Sequence, residues 1–136
     1  MRKITMGIAV LAVSALGACA TDNTPKVKLT GAEIEKAVVG NTLERTFSAG
    51  PNLITSQNFY SPAGVMVSQN SKGEQGAANW SIKGDEMCLK WTKKGFDWMV
   101  SDSCVSLFKA GEKRLESSSG GTIWTVRDGN PANLKP

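Results

Sequence analysis

Three cysteines and no histidine bound the chemistry open to this chain. Without an imidazole, the commonest general base near neutral pH and the commonest metal ligand are both missing. No Ser-x-x-Lys or Gly-x-Ser-x-Gly run supplies an activated nucleophile. The glycines form neither a dinucleotide turn nor a phosphate loop. A glycosidase needs only two carboxylates, and Glu44, Asp85, Glu86, Asp97 and Asp102 are available. These fall in expected turns or on an expected outer face, not around one cleft. The expectation is a chain that is not an enzyme, takes no cofactor and holds no metal. The thiols remain. Cys88 and Cys104 have the spacing of a staple across a hairpin, not of a Cys-x-x-Cys metal or redox pair. Cys19 stands apart from them, directly behind Leu16-Gly17-Ala18.

Cys19 closes a three-part N-terminus. Arg2 and Lys3 are positive, and Ile4 to Leu16 is apolar but short of the roughly 20 residues a membrane span requires. Such a segment reads as a signal peptide over 1–18. Leu16-Gly17-Ala18-Cys19 matches a bacterial lipobox. The peptidase accepts one apolar and two small side chains, and the thiol then receives a diacylglycerol. An ordinary secretory cleavage after Ala20 is the alternative, leaving a secreted or soluble periplasmic protein. An odd cysteine in an exported chain needs a use, and lipid on Cys19 leaves one pair for a disulfide. The membrane is thus an expected partner, through that lipid. By analogy with other bacterial lipoproteins, Ala20 implies the outer membrane, facing the periplasm.

Processing also changes the charge. The chain carries +4, but removal of Arg2 and Lys3 lowers this to +2. No basic stripe with interleaved aromatics is present, so nucleic acid is not an expected partner.

Residues 19–29 read as a lipidated tether without apolar periodicity, and residues 30–136 as one domain. That domain opens with a short helix. Thr30 and Glu33 have capping-box spacing, Leu29 and Ile34 that of a hydrophobic staple. Ile34, Ala37 and Val38 form the apolar stripe, and Gly40 sits at the stop. Strands are expected at 42–48, 53–60, 64–70, 76–83, 86–92, 100–109, 113–119 and 122–127, separated by Gly-, Ser- and Asp-rich turns. Gly84-Asp85 and Gly120-Gly121 suit two-residue hairpins. The second of these would set Leu115 opposite Val126 and Ser117 opposite Trp124.

A hairpin about Phe96 would set Cys88 opposite Cys104 and Lys90 opposite Asp102. Met87, Leu89, Trp91, Val105 and Leu107 would then share the other face. Two buried free thiols are the alternative to a disulfide. The expected core is Val65, Val67, Ala78, Trp80, Ile82, Leu89, Trp91, Leu107, Trp124 and Val126. Trp80, Trp91 and Trp124 either fill that core or line a cavity for a small ligand. Phe96 and Trp98, on a loop with Lys93 and Lys94, are the candidate contact for a partner, or else a plug for the barrel mouth.

Eight short antiparallel strands in one domain imply a mainly β fold: a small eight-stranded barrel with one N-terminal helix, or a two-sheet sandwich. The run Gly76 to Trp91, containing Trp80, Gly84-Asp85 and Cys88, then Cys104 and Gly129-Asn130-Pro131, resembles a family of small exported gram-negative proteins of unknown function. Gly40-Asn41-Thr42 adds to the likeness, which covers most of the mature chain. The resemblance implies a lipocalin-like barrel and no known activity. A weaker likeness is to periplasmic metalloprotease inhibitors, which are also small barrels with one disulfide. The functional expectation is a membrane-anchored, non-catalytic binding or accessory protein of the cell envelope. The alternatives are an inhibitor of a protease or lysozyme, and a carrier of a small apolar ligand.

Overall fold

The computed structural model describes residues 25–95 and 101–136. These form one curled antiparallel sheet of ten strands with one short helix. The strands are β1 Val27–Lys28, β2 Thr42–Ala49, β3 Asn52–Tyr60, β4 Val65–Asn70, β5 Gln75–Lys83, β6 Glu86–Lys93, β7 Ser103–Val105, β8 Leu107–Gly111, β9 Arg114–Ser117 and β10 Ile123–Arg127. The helix, α1, spans Gly31–Val38. Their order across the sheet is β1-β8-β9-β10-β2-β3-β4-β5-β6-β7. With all strands in one sheet, the sandwich is set aside.

Ten strands replace the expected eight for two local reasons. The sixth expected strand breaks at Ser106, where the chain exchanges neighbours: β7 pairs with β6, and β8 pairs with β9. The Ser106 N–H donates to Ser118 Oγ (3.0 Å), and its carbonyl accepts from the Ser118 N–H (2.9 Å). The second addition is β1, two residues of the expected tether. The β5–β6 hairpin ends at Gly84-Asp85, so it does not reach along β8. Val27 and Lys28 pair with Lys109 and Phe108 on that edge.

The helix follows from its caps. The Glu33 N–H donates to Thr30 Oγ1 at 3.4 Å, and the Thr30 N–H to the Glu33 carboxylate at 2.8 Å. Leu29, Ile34 and Val38 are buried against the sheet, and Gly40 follows the last turn at φ +72°. Hydrogen bonds to Thr30 hold the Glu33 carboxyl below its ordinary range.

Two registers need correction. At Gly120-Gly121 the turn is a four-residue loop, 118–121, closed by the Ser117 N–H on the Thr122 carbonyl (2.8 Å). Leu115 therefore faces Trp124, not Val126. A shift of two preserves the face, because strand side chains alternate with period two. In β4, Met66 enters the core cluster; Val67 is buried as expected but lies outside that cluster, and Val65 is only half-buried. Val65-Met66-Val67 is apolar at both parities, so alternation alone leaves its face open. The structure puts Ser68 and Asn70 inward with Met66, and both are hydrogen-bonded there.

Candidate functional site

The inward face changes character along the strands. Toward the helix it is apolar: Ile34, Val38, Leu43, Met66, Met87 and Leu107 are buried together. One step further along, the inward positions turn polar. Arg45 follows Leu43 on β2, Asn58 lies two residues before Tyr60 on β3, and Ser68 follows Met66 on β4. Ser117 follows Leu115 on β9.

Of the polar groups here, Ser56, Asn58 and Ser68 are linked. Ser68 Oγ donates to Asn58 Oδ1 at 2.6 Å, and Ser56 Oγ lies 3.5 Å from the same oxygen. Ser117 Oγ accepts from the Ser119 N–H at 3.1 Å. Tyr60 is buried at the boundary between the two halves. Burial raises its phenol well above the ordinary value, opposed by the Asn58 side chain and the Arg45 charge. The Tyr60 ring meets Trp80 edge to face, 5.7 Å between centroids.

The Arg45 guanidinium lies 4.7 Å from the Phe47 ring centroid and 4.9 Å from that of Trp124, within cation–π range of both. Its partial burial pulls its pKa below the ordinary value. It lines a cavity of about 150 Å³ inside the sheet, together with Asn58, Leu89, Val105, Ser119 and Trp124. Among the described lining residues Arg45 carries the only formal charge. Among the described residues, this chamber combines the Arg45 side chain, several hydroxyls and one apolar wall.

The expected site residues fare unequally. All three expected tryptophans pack against the core, and of them Trp124 also lines this cavity. Trp80 also donates from Nε1 to the Ser61 carbonyl at 3.0 Å, which anchors it as a structural side chain. Cys88 faces Cys104 across β6 and β7, with the sulfurs at disulfide distance, 1.99 Å. The pair is on the outer face, in a shallow open depression of about 650 Å³ bordered by Ser81, Lys83 and Lys90. The expected Lys90–Asp102 ion pair does not appear among the described residues. Asp102 instead accepts from the Trp91 N–H at 2.8 Å. Lys93 and Lys94 are exposed at the end of β6. Cys19, Phe96 and Trp98 lie outside the described residues.

Arg45 was missed in sequence because a cation in a strand reads as a solvated side chain. The available signal was parity: Arg45 alternates in phase with Leu43 and Phe47. Among the described residues no three His, Cys, Asp or Glu side chains gather in a metal-binding group. No protein-family model, curated protein or solved structure matches this chain.

Proposed function

We propose that the chain is an exported lipoprotein, anchored through lipid on Cys19 to the outer membrane and facing the periplasm, that binds a small molecule inside its sheet without transforming it. The observation that carries the binding half is the cavity at Arg45. Small-ligand sites are concave, mostly preformed and fixed by a few placed polar groups, and this one joins a cation and hydroxyls to an apolar wall.

The fold reading behind this is a closed, lipocalin-like barrel. Pairing runs from β2 through β6 to β7, and from β8 through β9 and β10 back to β2. Only Ser106 separates β7 from β8, so β2 to β6, the joined β7 and β8, β9 and β10 make eight staves around one interior, with the two-residue β1 added on the β8 edge. An eight-stranded barrel has room inside for side chains or one small ligand.

The address rests on Leu16-Gly17-Ala18-Cys19. Growth with radiolabelled palmitate is expected to label the wild-type chain, and Cys19→Ser to abolish both labelling and membrane association. Equal labelling of the variant would overturn the lipoprotein reading.

A further inference from the structure

We propose that the open depression along β1, β8 and β9 docks on an anionic bilayer and receives its phosphodiester headgroups, an inference that rests on the lipid anchor proposed at Cys19. Reach is the first ground. Pro25 is six positions after Cys19, and six extended residues span at most about 20 Å. Pro25 itself borders the depression. Lipid on Cys19 would therefore keep this edge of the sheet, where the chain enters the fold, beside the headgroups.

Charge is the second ground. The depression, of about 490 Å³, is bordered by Lys26, Lys109 and Arg114 against one carboxylate, Glu116. Three cations less one anion leave the lining at +2. Lys26 holds Glu116 at 2.6 Å, while Lys109 and Arg114 enter no ion pair among the described residues. Glu33 and Glu112 lie off the lining. Lys28, on β1, adds another exposed cation. The third ground is apolar. Val27 borders the same depression and is 62% exposed, and an apolar side chain among lysines suits the headgroup boundary.

Magnitude fits an orienting contact. Each basic residue near an anionic surface strengthens association about fivefold. Two unpaired cations are too few to recruit the chain from solution, but tethering makes the contact intramolecular and lets a weak attraction orient the domain. An acidic protein partner would have no need of a surface so close to the tether.

The test reconstitutes the acylated full chain into phosphatidylcholine vesicles, with or without phosphatidylglycerol, and follows modification of lysines by a water-soluble amine reagent with mass spectrometry. Flotation of the vesicles is scored in parallel. Phosphatidylglycerol is expected to slow modification of Lys26, Lys28 and Lys109 severalfold, to leave Lys72 on the β4–β5 turn and Lys93 at the end of β6 unchanged, and to lose its effect in high salt. Arg114→Gln is expected to weaken the protection about fivefold. Equal modification in both vesicles, with the chain floating in both, would overturn the docking surface and leave the anchor standing. Protection of Lys72 and Lys93 to the same degree would also overturn it, as would equal protection by inorganic phosphate without vesicles. A chain that floats with neither vesicle would sink the anchor and the docking surface together. The comparison of the two vesicles needs no variant, so a misfolded Arg114→Gln leaves the proposal open to refutation.

Discussion

Gly31, the first residue of the helix, lies so close to the β5–β6 turn that a Cβ there would stand 2.3 Å from the carbonyl oxygen of Gly84. The Gly31 N–H also donates to the carboxylate of Asp85 at 2.9 Å. One hairpin tip thus both packs against the helix start and places a negative charge where the helix dipole favours it.

Gly31→Ala is therefore expected to destabilise the domain. Alanine is the better helix former by somewhat under 1 kcal/mol, but the obstacle is backbone and cannot swing aside. Overpacking of this kind costs about 1–3 kcal/mol, so the steric term wins. Urea or thermal unfolding decides the matter, and a variant as stable as wild type would show that the helix slides freely over the hairpin.

The Cys88–Cys104 pair should be oxidised in the native protein and should contribute heavily to stability. The cysteines are 16 residues apart, and a loop of that length is worth about 3 kcal/mol in the chain-entropy account. Thiol titration of the unfolded, unreduced chain is expected to find neither Cys88 nor Cys104 reactive. Two reactive thiols from this pair would refute the bridge. Cys88→Ser with Cys104→Ser is expected to lower the urea midpoint without altering the strand register.

Alkaline pH should unfold the domain through Tyr60, the only tyrosine in the chain. Its folded pKa lies above the unfolded value of about 10. The unfolded state therefore releases the phenolic proton first, so ΔG of unfolding falls as pH rises. The Tyr60 contribution is complete below about pH 10 and is lost progressively above it. Absorbance at 295 nm is expected to show no tyrosinate until the chain unfolds, and Tyr60→Phe to flatten the alkaline limb. Reversible ionisation of the native protein at its ordinary pH would contradict the burial that raises this group.

What was legible in the sequence was local. Thr30 and Glu33 announce the helix start because the cap is made within four residues. Gly84-Asp85 fixes its hairpin because Gly84 takes φ +59°, a conformation that favours glycine. Cys88 finds Cys104 because apolar alternation and spacing agree, whereas the expected charge pair is not formed among the described residues and Asp102 accepts from a backbone N–H. What was not legible depended on distant partners. Nothing near Val27 reveals that β8 has an edge to cover, and nothing near Ser106 reveals that the chain changes neighbours there. The cavity was half visible: Trp124 was among the expected lining residues, whereas Arg45 needs the whole interior before a cation in a strand stops reading as surface. Met66 shows the limit of patterning most directly, since three consecutive apolar residues give no parity to follow.

The pairing of Thr42 with Arg127 and of Leu43 with Val126 carries a consequence for biogenesis. As the chain emerges in order, β2 to β6 can zip as successive hairpins, each formed with its predecessor. Throughout that interval β2 presents an unpaired edge, which is a template for other extended chains. The edge is covered only when β10 arrives, so the most aggregation-prone moment falls just before that strand is in place. An order of synthesis that delivers β10 late therefore prolongs the exposure of β2. A truncation that removes β10 would leave that edge permanently open.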